Sequence, residues 1–326
     1  MKFKNTNFQI FVLVVGSIIA IVKFLVYFNT GSNSVLSDAL ESIVNILAGS
    51  FTLYSLYLSS LPADQRHPYG HGKIEFIAAG FEGGLLFLAG IFTVYKIVFS
   101  YYFGISIQIH KNDVLIIFVL GFINYLLGIW SAYQGKKTNS PALISSAAHL
   151  KSDGYTSLGI FIGLVFVYFF KYKWIDSLIG LSVSVILIYQ GFVIVKNSIL
   201  EIIDTADIDI LKEVINYLQE NRKTNWIDIH NLRIIKYGSN FHIDAHVTFP
   251  WYFNNRQVHN EMYQIHKMME GHFNKEVELF IHPDPCEPMS CSICTIHDCK
   301  ERTSVFKQKE IWNIENVLKN EKHQIE

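Results

Sequence analysis

Six apolar stretches separated by short polar breaks fill the first 200 residues, at about 8–28, 34–60, 75–99, 113–134, 141–170 and 175–198. Each is long enough to cross a bilayer core as a helix, which needs about 20 residues. The breaks are turn-like: Asn29 to Asn33, Pro62 to Gly72, His110 to Asp113, Gly135 to Ser140 and Lys171 to Asp176. Beyond residue 203 the pattern changes. Ile208, Ile210, Leu211, Val214, Ile215 and Leu218 form a helical stripe. Phe241, Ile243, Ala245 and Val247 alternate with His242, Asp244 and His246, the period-two signature of a half-buried strand. A second helix is expected over Asn255 to His272 and a further strand over Val277 to His282. Residues 303–326 read as a charged, solvent-facing helix carrying Glu310, Glu315, Lys319 and Lys322. The chain thus divides into an α-helical membrane domain with six transmembrane helices (1–203), a small α/β domain (204–285), and a Cys-rich segment with a C-terminal helix (286–326).

Composition agrees with the membrane reading. Of 326 residues, 50% are hydrophobic and 17% charged, with mean hydropathy +0.26; soluble domains average about 25% charged. Residues 1–200 hold 21 of the Asp, Glu, Lys and Arg side chains and the last 126 residues hold 34. A net charge of −1 leaves no basic footprint for nucleic acid. The first stretch lacks a small-residue cleavage site and reads as an uncleaved helix. Six spans put both termini on one side. Lys2, Lys4, Arg66, Lys73, Lys136, Lys137 and Lys196 fall on that side, against Lys111, Lys171 and Lys173 opposite. Positive charge stays inside, so the termini are expected to be cytoplasmic, in a multi-pass protein of a bacterial plasma (inner) membrane.

Ionisable residues within spans are costly and usually functional. The second span holds Asp38, Glu41 and Asn45, and the fifth holds His149 and Asp153. Glu41 with Asn45, and His149 with Asp153, are i, i+4 pairs, each on one helix face. Two such helices face to face offer four donors around one point, as a tetrahedral divalent cation requires; for either pair alone the plain alternative is a buried helix contact. Lys23 in the first span reads as a structural ion pair or a snorkelling side chain, and Lys151 is expected to point away from the site. Asp64, His67 and His71 lie within one loop, Asp64-Gln65-Arg66-His67-Pro68-Tyr69-Gly70-His71. They form a second candidate cation site, the alternative being a surface turn with incidental histidines.

All four cysteines, Cys286, Cys291, Cys294 and Cys299, lie in one C-x4-C-x2-C-x4-C run. A reducing compartment disfavours disulfides there. Clustered thiolates suit bound zinc, with His297 as a spare ligand; an iron–sulfur cluster and a redox pair at Cys291 and Cys294 stay open.

Taken together, the six spans, Thr30-Gly31-Ser32, the Ser37-Asp38-Ala39-Leu40 run with its paired ligands, His67-Pro68-Tyr69-Gly70-His71-Gly72-Lys73, the His149 and Asp153 pair and the closing His282-Pro283-Asp284-Pro285 resemble the cation diffusion facilitator family of divalent-metal/proton antiporters. The resemblance runs from about Gln9 to Asp284. It implies a transport site at Glu41, Asn45, His149 and Asp153. Asn45 stands where the family's zinc carriers usually have Asp, and Asp38 is an extra candidate to supply the missing charge. It also implies a ferredoxin-like cytoplasmic domain that dimerises and binds metal, with ligand positions matching His246, His259, His282 and Asp284.

The function expected is proton-coupled efflux of a divalent cation, Zn2+ first, by a homodimeric secondary transporter and not an enzyme. His149 is the expected proton-coupling residue, because imidazole is the side chain whose protonation changes near neutral pH and must be neutral to bind metal. Fe2+ or Mn2+ suits the oxygen-rich donor set as an alternative. A membrane-anchored metal sensor, working through the tail alone, is the alternative from another class.

Overall fold

The computed structural model describes residues 2–103, 107–138, 141–172, 174–237, 240–273 and 277–325, with backbone alone for residues 2–9, 52, 56, 135, 138, 141–146, 148 and 240. Lys173, counted above for orientation, lies outside the described residues, as do the side chains of Lys2 and Lys4. The chain forms two compact units, Met1–Tyr57 with Glu75–Ile199, and Leu58–Ile74 with Leu200–Glu326.

Six helices build the first unit: α1 (Lys2–Thr30), α2 (Asn33–Ser59), α3 (Ile74–Phe103), α4 (Lys111–Thr138), α5 (Pro141–Phe170) and α6 (Trp174–Ile202). All six are long and apolar enough to cross a membrane. Ile21, Leu25, Leu88 and Val185 stay more than half exposed on the outside, a surface suited to lipid and not to water. Inside, Ile117, Ile160, Leu164 and Leu187 pack as a buried cluster. The break between α1 and α2 takes only two residues because Gly31 adopts φ +64°, a left-handed conformation that glycine reaches without strain. Asp176, in the first turn of α6, then satisfies the start of α2. It accepts from Ser32 Oγ at 2.5 Å, Asn33 N at 2.7 Å and Ser34 Oγ at 2.5 Å. Helices α3 and α6 meet backbone to backbone: a Cβ on Gly191 would stand 2.6 Å from Gly83 O, the close approach that small residues permit in membranes.

The second unit contains α7 (Ile208–Glu220), β1 (Asp228–Tyr237), β2 (Asn240–Phe249), α8 (Asn255–Phe273) and β3 (Val277–Pro285). The sequence pattern predicts α7, β2, α8 and β3, and β1 joins them in the structure. Asp207 caps α7, accepting from Asp209 N and Ile210 N, and its hydrogen bond from Lys236 holds its carboxyl below the usual range. The sheet order is β1-β2-β3, with β1 antiparallel and β3 parallel to β2. Ile243, Ala245 and Val247 on the inner face pack against Leu211, Val214 and Leu218 of α7 and Ile265 and Met269 of α8.

The expected helix over 303–326 does not form. Among the described residues only one turn, α9 (Ile314–Val317), is helical, and the tail around it is a non-helical strap. The reason is docking. Trp312 and Val317 are buried in the α/β core, and the Arg222 guanidinium sits 3.9 Å over the Trp312 ring while donating to Glu310 O at 2.6 Å. Asn231 N donates to Lys319 O at 2.7 Å. Tertiary partners for the backbone outweigh a weak local helix preference.

Candidate functional site

Helices α2 and α5 bring Glu41, Asn45 and Asp153 together. Asn45 Nδ2 donates to Asp153 Oδ2 at 2.7 Å, and the Glu41 carboxyl comes within reach of Asp153. Glu41 and Asp153 are both buried. Glu41 Oε2 has no hydrogen-bond partner among the described residues. His149, one turn before Asp153, is exposed, and the ligand atoms of Glu41, His149 and Asp153 do not all lie within 4.8 Å of one another.

Asp38 does not turn toward this group. Its carboxylate holds the buried Lys23 ammonium at 2.7 Å, and Lys23 Nζ also donates to Ser42 Oγ at 3.0 Å and Ser157 Oγ at 3.2 Å. Ser157 Oγ donates back to Asp38 at 2.9 Å. The expected extra ligand is here the counter-ion of Lys23, because a buried ammonium left without a carboxylate is costly. Lys151 lies against α4, where a Cβ on Gly128 would meet its Cγ at 2.7 Å, away from the site as expected.

In the loop after α2, Asp64, His67 and His71 offer ligand atoms that all lie within 4.8 Å of one another. His67 Nδ1 is 3.1 Å and His71 Nε2 3.6 Å from the Asp64 carboxylate. The turn is built by Asp64 Oδ1, which accepts from His67 N at 2.7 Å and Arg66 N at 2.8 Å. The His67 amide, foremost, holds the Asp64 carboxyl below its usual range. Tyr69 stacks on Tyr237 at the end of β1 with ring centroids 5.8 Å apart, which docks the loop on the sheet.

The outer face of the sheet carries a row of histidines. Register places His230 of β1 opposite His246 of β2, and His246 opposite His282 of β3. Asp284, two residues on along β3, shares their face. His230 Nε2 and His246 Nδ1 lie 3.2 Å and 3.1 Å from Asp284 Oδ2, and His282 Nε2 lies 3.5 Å from Asp284 Oδ1. His230, His246 and Asp284 meet the spacing a metal ion needs, and His230 Nδ1 is buried with no hydrogen bond, 3.6 Å from Asp228 Oδ2. The residues therefore fit a metal. His259, on α8, is exposed and outside this group. Beside the row, Asp228 accepts from His323 N at 2.9 Å and lies 2.6 Å from His323 Nδ1. Burial alone would raise the Asp228 carboxyl, but the neighbouring His230 and the hydrogen bonds with His323 hold it low. Burial likewise opposes the His323 imidazolium, and the Asp228 bond outweighs it and raises the histidine.

Two paired carboxylates on facing membrane helices, a loop cluster and a histidine row are the parts of a metal-handling membrane protein. The model of the cation efflux transmembrane domain matches residues 10–203. The chain belongs to the cation efflux family. A second model, the cytoplasmic domain of cation efflux proteins, matches residues 206–286. The manganese efflux system protein MneS of Bacillus subtilis is 25% identical over 274 residues, which are 83% of this chain and 92% of MneS. The cation-efflux pump FieF of Yersinia pestis is 26% identical over 292 residues, 83% of this chain and 89% of FieF. The magnetosome protein MamM of Magnetospirillum gryphiswaldense is 26% identical over 186 residues, 56% of this chain and 58% of MamM.

Within this cation efflux chain, His230 is the residue that sequence reasoning misses. Strand β1 has a register irregularity between His230 and Arg233, with Asn231 at φ +51°, so its period-two pattern is broken where the histidine sits. The remaining signal was an Asp-Ile-His run ahead of an apolar stretch. Three of the four cysteines lie beyond the family match. All four line one cavity of about 100 Å³.

Proposed function

We propose that this cation efflux protein exports a divalent metal cation from the cytoplasm in exchange for protons, with zinc as the lead substrate. One observation carries the reading: a buried Glu41 oxygen without a donor, facing Asp153 across two membrane helices. A buried unpartnered carboxylate oxygen is costly, and a cation supplies the missing partner. Asn45 now donates to Asp153. For Asn45 to offer its oxygen instead, that bond must open, so cation entry exchanges one hydrogen bond for new ligands on both residues. His149 completes the set by turning inward from its exposed position. It must be neutral to ligate, so metal arrival expels a proton and proton arrival releases metal. Alternating exposure of the site then moves the ion. Asp64, His67 and His71 would gather cations at the cytoplasmic mouth. In the α/β unit, His230, His246, His282 and Asp284 would hold a resident metal that ties the three strands together, and this unit would join two copies into a homodimer. Both termini face the cytoplasm in this reading, and the membrane is a bacterial plasma membrane.

Fe2+ or Mn2+ is the second reading. It is favoured by the gathering of the oxygen donors Glu41, Asn45 and Asp153, since harder ions prefer oxygen. Flux in proteoliposomes under an imposed pH gradient tests both. Gradient-driven zinc flux lost in Asp153→Asn and His149→Ala is the expected result. Flux of iron or manganese alone moves the assignment to the second reading. No flux of any ion, with metal still held by the α/β unit, overturns the carrier in favour of a membrane-anchored sensor.

A further inference from the structure

The cysteine run is used by none of the steps above, yet the fold converges it. Cys286 directly follows the end of β3, Cys291 lies in the short 3-10 helix Pro288–Ser292, and Cys294 and Cys299 follow in the next loop. All four face the same cavity, beside Trp251 and Tyr252. Polar groups already address the sulfurs. Trp251 N donates to Cys286 Sγ at 3.4 Å, and Cys291 Sγ lies 3.6 Å from Thr303 Oγ1. The loop that carries them is shaped by one cation: Arg302 donates to Cys291 O and Cys294 O at 2.9 Å and to Ile296 O at 2.8 Å. His297 is exposed and does not line the cavity.

We propose that these four cysteines form a tetrathiolate zinc knot that fastens the C-terminal strap across the α/β unit. As Zn2+ binds, the four thiols release their protons to water and the four thiolates with the ion form a site of net charge −2 that the neighbouring Arg302 partly offsets. Backbone N–H and hydroxyl groups already aimed at sulfur are the outer support such a site needs. Among the described residues no three of the sulfurs lie within 4.8 Å of one another, so the cavity contracts on binding, drawing Cys291, Cys294 and Cys299 toward the end of β3. What is tightened is the strap. Lys307 N and Ile325 N both reach Ser292, at its carbonyl (2.9 Å) and its hydroxyl (3.2 Å). Lys322 Nζ reaches Pro285 O at 3.0 Å and Glu287 at 2.7 Å. The knot therefore anchors both the start and the end of the strap, and with it the His323 contact beside the histidine row.

The chain has four cysteines in all, every one in this run, so a thiol assay on the full-length, detergent-purified protein reads this site alone. Zinc added to the reduced protein should protect all four thiols from Ellman's reagent, and cobalt should give the intense visible bands of a tetrahedral thiolate complex. Both signals should persist in His246→Ala, which leaves the cysteines intact, and in Cys299→His with weakened bands. Loss of an outer partner alone costs ~10–100-fold in metal affinity, so Cys294→Ser should lose more than about 100-fold. Protease cleavage of the strap should slow with zinc in the wild type but not in Cys294→Ser. Equal thiol reactivity with and without zinc overturns the proposal. So do a disulfide in protein from reducing cytosol, or an iron–sulfur chromophore with acid-labile sulfide. Transport flux plays no part in these readouts, so failure of the carrier reading and failure of the knot are separately visible.

Discussion

Replacing Lys23 with Met should destabilise the helical unit more than any loss of packing explains. The ammonium is fully buried and has three partners, Asp38 at 2.7 Å, Ser42 and Ser157. At 2.7 Å, two unit charges attract by about 6 kcal/mol at an effective dielectric near 20, and desolvation takes back part of this. Truncating one partner is costlier than the pair's net worth, because Lys23→Met leaves the Asp38 charge buried with Ser157 as its remaining close donor. The expected loss is about 3–5 kcal/mol. Lys23→Met with Asp38→Asn removes both charges and should recover to within about 2 kcal/mol of the wild type. Unfolding of the purified protein in mixed detergent–SDS micelles, followed by circular dichroism, measures both variants and their coupling. A cost for Lys23→Met below about 1 kcal/mol, or single-variant costs that simply add in the double variant, refutes the buried-pair reasoning.

Three further outcomes are expected. Asn45→Asp should bind zinc about tenfold tighter or more, equivalent to about 1.4 kcal/mol, while slowing flux, and calorimetry with proteoliposome transport checks the two together. Trp312→Ala should cost about 3–5 kcal/mol of docking and show as faster hydrogen exchange over residues 310–325 with the helical unit unchanged. Strap docking should also depend on pH in metal-free protein. The raised His323 contributes fully below its ordinary value near 6.5 and is lost as pH rises through its higher folded value, whereas the depressed Asp228 contributes above about 3.9 and is lost as pH falls through its lower one. Protease resistance of the strap should therefore be greatest between about pH 4 and 6.5, and a profile flat from pH 5 to 9 refutes the assignment.

The elements with strong periodicity were legible from sequence. Long apolar runs have few alternative uses, so all six spans fall where the pattern puts them, and the alternation around Ile243 and Val247 fixes β2 and its histidine face. What was not legible depended on contacts between distant residues. Asp38 looked available because the partner that claims it, Lys23, lies 15 residues earlier on another helix. His230 was hidden by the irregularity in β1, and the row to which it belongs exists only through strand register. The strap misled for a similar reason. Its charges look solvent-facing in isolation, but Trp312 and Val317 are anchors whose pockets belong to the α/β core.

The grip of Asp176 on the first residues of α2 has a mechanical consequence. It makes that end of the helix a fulcrum. With a rise of about 1.5 Å per residue, Asn45 lies about 18 Å along the lever from Asn33. A tilt of about 10° about that end would swing Asn45 by about 3 Å, enough to break its 2.7 Å bond to Asp153 while every contact at Asp176 stays closed. A small rocking of one helix is thus geometrically sufficient to open the Asn45–Asp153 contact between α2 and α5, with no need for α2 to unwind or slide.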